Sequence, residues 1–173
     1  MTDLRDHIRD IPDFPKEGIV FKDITPLLLD PASLDLAVQL LAEWARPREI
    51  DYVLAAEARG FILGAALALE LDAGFVPARK PGKLPSQTVS AEYILEYGVD
   101  ALEMHSDALA DGARVLIHDD LLATGGTALA LAELVEELGG TVVGFAFLVE
   151  LGFLEGRRRL EGFDVCALIG YED

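Results

Sequence analysis

Cysteine and positive charge are scarce in this sequence. Its one cysteine among 173 residues, Cys166, lies in an apolar run, so we expect it in the core, and a disulfide or a cysteine-based metal site within one chain is excluded. The 14 lysine and arginine residues stand against 31 aspartate and glutamate residues, which gives a formal net charge of −17. Because such a surface repels nucleic acids and anionic membranes, we expect neither as a partner.

The sequence also lacks long uncharged segments. No run reaches the roughly 20 apolar residues of a membrane-spanning helix, and the opening residues contain no apolar signal core. We therefore expect a cytoplasmic protein. A length of 173 residues, of which 51% are hydrophobic, predicts a single domain, 1–173, with a substantial core.

Strands and helices are predicted to alternate along the chain. Apolar runs predict buried strands at 52–56, 75–78, 115–117, 142–149 and 163–169, and polar alternation predicts a further strand at 101–105. Helical spacing of apolar residues, with helix-starting and helix-ending residues, predicts helices at 3–10, 34–45, 60–71, 128–138 and 152–160. This alternation predicts an α/β fold in which helices flank a central, mostly parallel sheet.

Two segments do not fit this alternation. Residues 11–18 are rich in proline and 19–26 form an apolar, irregular extended piece, which is either a strap over the core or a lid on which Phe21 stacks against a flat aromatic ligand. Composition alone favours the strap. Residues 81–98 contain Pro, Gly, Ser and Tyr without a recognisable buried face, and a long segment of this kind is either a functional lid or a disordered flap.

The most informative stretch, Arg114–Thr127, leads from an apolar strand through two carboxylates into a glycine pair and a helix. Asp119 and Asp120 at the strand end are either a solvated loop end or a site for a cation or for ligand hydroxyls. Residues 124–127, Thr-Gly-Gly-Thr, supply hydroxyls and free N–H groups at a helix start, which favours a phosphate site. No Lys-Ser/Thr pair follows the glycines, which argues against nucleoside triphosphate hydrolysis.

Basic residues are expected near the same edge of the sheet. Arg59 follows the strand 52–56, and the predicted parallel order of the strands would bring it to the same edge as Asp119. It is either a surface ion-pair partner or a ligand for a second phosphate or a pyrophosphate. Arg79, Lys80 and Lys83 concentrate positive charge in one loop of an acidic chain, which favours an anion site over a solubilising loop.

A family resemblance gives these residues a context. Residues 118–127, His-Asp-Asp-Leu-Leu-Ala-Thr-Gly-Gly-Thr, resemble the 5-phosphoribosyl-1-pyrophosphate motif of the type I phosphoribosyltransferases. Further segments occur in the order typical of the adenine phosphoribosyltransferases, namely 14–15, 18–26, 57–61, 79–85 and 95–98. The resemblance implies the type I phosphoribosyltransferase fold, with a small N-terminal hood at approximately 1–32 and a flexible catalytic loop at approximately 81–98.

The resemblance implies where the sugar donor binds. Asp119 and Asp120 would meet the ribose hydroxyls, directly or through Mg²⁺. The 5-phosphate would be held by Ala123, Thr124, Gly125, Gly126 and Thr127. Glu57, Ala58 and Arg59 would form the pyrophosphate loop, with a cis peptide expected between Glu57 and Ala58, and Arg59 would stabilise the leaving group. Arg79 would reach the pyrophosphate site of a partner in a homodimer, and Lys80 and Lys83 would also bind substrate.

The resemblance also implies where the base binds. Val20, Phe21 and Lys22 would line an adenine pocket, and Glu96, beside Tyr97 in the flexible loop, would transfer the proton of the base. Two positions depart from the family pattern. Lys22 replaces a frequent arginine, although the expected contact there is mainly through the backbone. His118 replaces an aliphatic residue, and we expect it to be buried and neutral.

The implied reaction converts adenine and 5-phosphoribosyl-1-pyrophosphate into AMP and pyrophosphate, with Mg²⁺ as cofactor. One alternative is a phosphoribosyltransferase for xanthine or for hypoxanthine and guanine, whose 6-oxo group accepts a hydrogen bond where the amino group of adenine donates one. Another is a regulator that binds the sugar diphosphate without turnover. Such a regulator would need a DNA-binding appendage or a basic face, and the sequence shows neither.

Overall fold

Residues 3–95 and 98–173, the part of the chain described by a computed structural model, fold into alternating strands and helices. The strands are β1 (Arg9–Pro12), β2 (Val20–Asp23), β3 (Tyr52–Ala56), β4 (Gly74–Ala78), β5 (Thr88–Leu95), β6 (Gly98–His105), β7 (Arg114–Leu122), β8 (Thr141–Leu151) and β9 (Val165–Tyr171). The α-helices are α1 (Thr25–Leu29), α2 (Pro31–Ala45), α3 (Gly60–Glu70) and α4 (Gly126–Glu137). Short 3₁₀ helices occupy Leu4–His7, Arg46–Arg48, Gly152–Leu154 and Gly156–Leu160.

The central sheet is parallel throughout. Its strands are hydrogen-bonded in the order β4-β3-β7-β8-β9, and every neighbouring pair runs in the same direction. Two antiparallel hairpins, β1-β2 and β5-β6, accompany it. The predicted α/β fold with helices flanking a parallel sheet is therefore confirmed.

Helices cover both faces of the sheet, which is why its strands are continuous apolar runs. On β7, Val115 and Ile117 pack in one core cluster with Leu131 and Leu134 of α4. Leu116, between them, packs in another cluster that includes residues of α2 and α3. Successive side chains of a strand point to opposite faces, so a strand buried on both sides needs apolar residues at nearly every position.

The N-terminal segment differs from the prediction. The expected helix 3–10 is a 3₁₀ helix of four residues, Leu4–His7, and the chain then enters β1, which pairs with β2. An ion pair between Arg9 and Asp23, at 2.6 Å, closes this hairpin. The extended piece predicted at 19–26 becomes β2 and the start of α1. β1 and β2 have four residues each, and they are held by pairing with one another. Strands this short show no recognisable periodicity of apolar residues in the sequence.

The prediction that 81–98 has no buried face was wrong. Residues 88–95 form β5, which pairs along its length with β6, and Ala91 is buried in the same cluster as Leu102 and Met104. The buried face is carried by alternate residues, one of them a small alanine, among serine, threonine and glutamate, so its apolar signal is weak. Residues 96 and 97 lie outside the described part of the chain.

Two smaller differences concern the elements around the candidate site. The strand predicted at 115–117 continues to Leu122, so Asp119 and Asp120 belong to the sheet and not to the turn after it. The single helix predicted at 152–160 is two 3₁₀ helices, Gly152–Leu154 and Gly156–Leu160. Within the described ranges, none of the helices combines the length and apolar character needed to cross a membrane.

Candidate active site

A cavity of about 210 Å³ opens at the carboxyl end of β7, where ligands bind in open α/β sheets. It is lined by Arg59, Asp119, Asp120, Leu121, Leu122, Ala123, Thr124, Gly125, Gly126, Thr127, Ala128 and Phe147. The structure therefore brings the acidic pair, the arginine after β3 and the glycine-containing loop around one space. Eight of these twelve residues, Arg59, the two aspartates and the five residues of 123–127, were predicted as site residues from the sequence.

The 123–127 loop presents unpaired backbone donors to this cavity. Gly125 adopts a left-handed conformation, with φ of 84°, and its carbonyl accepts the hydrogen bond from Leu129 that opens α4. The N–H groups of the first helical residues have no carbonyl one turn earlier to bond to. These donors and the positive end of the helix dipole make the loop suited to an anion.

The acidic pair is held in two different environments. Asp120 is only 6% exposed, and its Oδ2 atom lies 2.8 Å from Nε of Arg59. The Oδ1 atom of Asp119 accepts a hydrogen bond from the backbone N–H of Asp120 at 2.9 Å. Burial, together with the neighbouring charge of Asp120, raises the pKa of Asp119 well above its usual value. Asp119 is thus a carboxylate whose charge is unfavourable in the free protein.

Arg59 connects the acidic pair with the N-terminal hairpin. Its guanidinium lies over the ring of Phe21 on β2, 4.8 Å from the ring centroid, while it pairs with Asp120. Phe21 in turn makes an edge contact with Phe14, with ring centroids 5.1 Å apart. The parallel order of the strands was predicted to bring Arg59 to the same edge of the sheet as Asp119, and this prediction is confirmed.

Val20 and Lys22, on either side of Phe21, do not line the cavity. The ammonium group of Lys22 lies 2.7 Å from a carboxylate oxygen of Asp10 and 4.0 Å from the centroid of the Tyr171 ring. The side chain of Val20 is 49% exposed. Of Val20, Phe21 and Lys22, therefore, Phe21 is the one that contacts a cavity-lining residue, and Lys22 can face the site only through its backbone.

The 57–59 loop joins a second basic segment. The peptide bond between Glu57 and Ala58 is cis, as the family resemblance implied. The carboxylate of Glu57 accepts hydrogen bonds from the backbone N–H of Lys80 and, at 3.2 Å, from the guanidinium of Arg79. The backbone hydrogen bond from Lys80, assisted by Arg79, holds the pKa of Glu57 below its usual value. Glu57 therefore fixes the 79–80 turn against the end of β3.

The structure does not bring all the predicted basic residues to the cavity. The ammonium group of Lys80 binds the carboxylate of Asp100 and the hydroxyl of Tyr93 on the β5-β6 hairpin. Lys83 is exposed. Glu57, Ala58, Arg79, Lys80 and Lys83 do not line the 210 Å³ cavity, and Glu96 and Tyr97 lie outside the described residues.

His118 and four apolar positions complete the surroundings. His118 is fully buried, and burial lowers its pKa to about 4, so the ring is neutral at physiological pH, as expected. Phe147 on β8, opposite Asp119 in the sheet, lines the cavity but stands in a uniform apolar run that gives no signal in the sequence. Leu121, Leu122 and Ala128 also line the cavity and were missed because apolar residues carry no chemical signal in the sequence.

Comparison with known proteins identifies the family. Residues 28–161 match the phosphoribosyl transferase domain. The adenine phosphoribosyltransferase of Thermotoga maritima is 60% identical over 169 residues, which cover 98% of this chain and 98% of that protein. The chain belongs to the adenine phosphoribosyltransferase family.

Solved structures of adenine phosphoribosyltransferases have the same fold. The enzyme from Thermoanaerobacter pseudethanolicus superposes with a TM-score of 0.95 at 55% identity, with 97% of this chain and 98% of that chain covered. The enzyme from Saccharomyces cerevisiae, in complex with an imino-altritol bisphosphate and adenine, gives a TM-score of 0.89 at 43% identity, with 95% and 96% covered. The type I phosphoribosyltransferase fold expected from the sequence is thus confirmed.

The environment of Asp119 predicts that Asp119→Asn raises the free energy of unfolding at pH 7. The folded-state pKa of Asp119 lies above its unfolded value, so its charge costs stability at neutral pH, and this cost disappears as the pH falls through the folded-state pKa towards the unfolded value. Urea unfolding in metal-free buffer should therefore show a gain that shrinks between pH 7 and about pH 4, near the unfolded pKa of an aspartate.

Asp120→Asn is the matched control for this measurement. It removes the neighbouring carboxylate but leaves Arg59 without its ion-pair partner, so it is not expected to give the same gain. If the free energy of unfolding of Asp119→Asn at pH 7 were lower than that of the unmodified protein, the prediction of a raised pKa for Asp119 would be contradicted.

Proposed function

We infer that this chain transfers the 5-phosphoribosyl group from 5-phosphoribosyl-1-pyrophosphate to adenine, giving AMP and pyrophosphate in purine salvage. The observation that carries the inference is the contact series from Phe21 through Arg59 to Asp120, which joins an aromatic platform to a sugar-phosphate site. The names of the relatives, and the adenine bound in the yeast structure, support adenine as the base.

The donor would lie along the edge formed by β7 and β3. The 5-phosphate would bind to the N–H groups and hydroxyls of Ala123, Thr124, Gly125, Gly126 and Thr127, and Asp119 and Asp120 would accept hydrogen bonds from the ribose hydroxyls. Hydrogen bonds from these hydroxyls, or a nearby cation, would favour the charged form of Asp119. Binding of the donor would then remove the free-energy cost of the charge on Asp119 in the free protein.

The pyrophosphate would lie at the 57–59 loop. Arg59 would exchange its ion pair with Asp120 for the leaving pyrophosphate, to which a guanidinium can make two parallel hydrogen bonds. Glu57 would act by keeping Arg79 and Lys80 beside this loop. Lys83, which is exposed, would add positive charge near the leaving group, and Lys80 would do so by exchanging its pair with Asp100 for the pyrophosphate.

Mg²⁺ is the cofactor that suits this donor set. Among residues 3–95 and 98–173, no cluster of three or more histidine, cysteine, aspartate or glutamate side chains is arranged to hold a metal ion. Two carboxylates fit a small hard ion that takes its other ligands from substrate oxygens and water. Asp119 and Asp120 would hold such an ion directly or through the ribose hydroxyls, and it would neutralise charge developing on the leaving group.

Adenine would bind under the hood, approximately residues 1–32 of a single domain, 1–173. Phe21 would stack on the ring, and the backbone of Val20 and Lys22 would read its edge, since the side chain of Lys22 is engaged with Asp10 and Tyr171. The exposed ring edge of adenine would thus meet main-chain groups whose position is fixed by the β1-β2 hairpin.

The reaction is a displacement at the anomeric carbon. The bond from this carbon to the pyrophosphate oxygen breaks, the bond to a ring nitrogen of adenine forms, and the proton of that nitrogen leaves. Glu96, beside Tyr97 in the flexible loop at approximately 81–98, would take this proton. Closure of the loop would exclude water, which competes with adenine for the reactive sugar.

The protein is proposed to act as a cytoplasmic homodimer in which Arg79 reaches the pyrophosphate site of the partner. An exposed apolar stripe on α3 supports a dimer, because Ile62 is 47% exposed and Leu69 is 81% exposed, with the exposed Ala65 between them. This stripe begins directly after the 57–59 loop, so a partner seated on it would approach the pyrophosphate end of the site.

The dimer predicts that sedimentation equilibrium gives twice the mass of one chain. Leu69→Asp should shift the equilibrium towards single chains, because it places a charge in the apolar contact. Leu40→Asp, at an exposed apolar position of α2, is the control and should leave the mass unchanged. A single-chain mass for the unmodified protein at micromolar concentration would contradict the proposal.

Turnover with each purine base tests the proposed reaction. With Mg²⁺ and 5-phosphoribosyl-1-pyrophosphate, adenine should release pyrophosphate and form AMP, while hypoxanthine, guanine and xanthine should react at least about 100-fold more slowly, because a site built for the amino group leaves a 6-oxo group unpaired. Faster turnover with a 6-oxopurine would favour the alternative transferases. Tight binding of the donor without pyrophosphate release from any base would favour the regulator.

The role of Glu96 is tested by Glu96→Gln. This change should lower kcat by about 100-fold or more, the usual contribution of a general acid or base, and leave the Kd for 5-phosphoribosyl-1-pyrophosphate nearly unchanged. Glu92→Gln, at an exposed position of β5, is the control and should retain kcat. An unchanged kcat in Glu96→Gln would remove Glu96 from the mechanism.

A further inference from the structure

The segment 155–160 carries three consecutive arginines that the proposed mechanism does not use. It includes the 3₁₀ helix Gly156–Leu160, which lies against the 123–127 loop. We call residues 155–160 the backing turn. Its contact with the loop is made by backbone atoms, and it places a cation beside the first residue of α4.

Gly156 brings the two backbones together. A Cβ atom on Gly156 would lie 2.2 Å from the carbonyl oxygen of Ala123 and 3.0 Å from the backbone nitrogen of Gly125. In the opposite direction, a Cβ atom on Gly125 would lie 2.7 Å from the carbonyl oxygen of Gly156. Because backbone atoms on both sides fill the space, any side chain at Gly156 would have to displace the loop.

The three arginines of the backing turn differ in their partners. Arg157 pairs with Glu150 at 2.5 Å, and Arg158 pairs with Glu155 at 2.8 Å. For Arg159, no carboxylate of residues 3–95 or 98–173 lies within the 4.0 Å of an ion pair. Its charge is therefore not neutralised by a described neighbour, in a chain whose net charge is −17.

Arg159 lies next to the two glycines of the loop. Its Cβ atom is 3.3 Å from the Cβ position of Gly125, and its Nη1 atom is 3.9 Å from the Cβ position of Gly126. It does not line the 210 Å³ cavity, so it would act on a ligand there without direct contact. A charge in this place adds to the field of the N–H groups at the start of α4.

We propose that the backing turn is part of the 5-phosphate site, with Gly156 fixing the position of the 123–127 loop and Arg159 adding positive charge to it. The proposal rests on the proposed function, because it assumes a phosphate on this loop. Gly156 is a positioning residue that acts through Ala123 and Gly125. Arg159 acts on the phosphate through the loop and needs no direct contact.

Gly156→Ala tests the positioning role. Displacing the loop should raise the Kd for ribose 5-phosphate, measured by isothermal titration calorimetry, about tenfold or more, which corresponds to the loss of about one hydrogen bond to a charged group. Gly144→Ala is the matched control, because its Cβ would meet Trp44 at 2.9 Å, far from the phosphate loop. The control should lose thermal stability but keep the Kd.

Arg159→Gln tests the charge, and it does not depend on whether Gly156→Ala folds. It should raise the Kd for ribose 5-phosphate about threefold to tenfold at low ionic strength and much less in 0.5 M salt, because salt screens a charge that acts at a distance. Arg158→Gln, in the same turn but paired with Glu155, should leave the Kd unchanged at both ionic strengths. Arg159→Lys should keep most of the affinity.

Each outcome decides one part of the proposal. A Kd for Gly156→Ala that matches that of Gly144→Ala overturns the positioning role, and equal values for Arg159→Gln and Arg158→Gln overturn the charge role. Ribose 5-phosphate binding does not require adenine or turnover. An unmodified protein that binds ribose 5-phosphate but does not convert adenine would overturn the proposed function and leave the backing turn as part of a phosphate site.

Discussion

The register between β3 and β7 is the constraint on which the candidate site depends. These parallel strands pair from Tyr52 with Val115 to Ala55 with His118, so β3 ends where the acidic pair of β7 begins. The loop after β3 then delivers Arg59 to the Asp119–Asp120 pair on β7. A slip of two residues would keep the same faces buried but shift one strand by about 6.6 Å, at 3.3 Å per residue. Arg59 could then no longer reach Asp120 at 2.8 Å.

Small residues allow the other parts of the site to approach this edge. A Cβ on Gly60 would lie 2.9 Å from Oδ1 of Asp119, and one on Gly64 would lie 3.1 Å from the Cβ of Ala55. Glycine at both positions lets α3 lie close to the sheet. The loop beyond β7 depends in the same way on Gly125 and Gly156. Close contact at these glycines positions the charged groups, which come from separate parts of the chain.

Much of the fold could be predicted because burial on both faces leaves a strong pattern. The strands around Leu54, Leu116 and Phe145, and helix α4, follow from apolar periodicity. The N-terminal hairpin and β5 could not be predicted, because their strands are stabilised by pairing with a partner strand. In β5 the buried Ala91 is a small residue, which gives only a weak apolar signal.

The candidate site also contains residues that the sequence reveals and residues that it does not. Charged residues directly after an apolar strand, such as Asp119, Asp120 and Arg59, can be recognised in the sequence as candidate ligand-binding residues. Phe147 does not, because an apolar residue beside a ligand looks the same as one in the core. The engagement of Lys22 with Asp10 and Tyr171, and of Lys80 with Asp100, depends on tertiary contacts that local sequence does not encode.

The central claim is that one edge holds the phosphate, the ribose and the pyrophosphate, and that the hood selects the base. A crystal structure with AMP, pyrophosphate and Mg²⁺ tests it most directly. The account predicts the phosphate of AMP on residues 123–127, the ribose hydroxyls at Asp119 and Asp120, pyrophosphate at Arg59 and the adenine ring against Phe21. An adenine ring bound away from Phe21, or pyrophosphate away from the 57–59 loop with Arg59 still paired to Asp120, would contradict it.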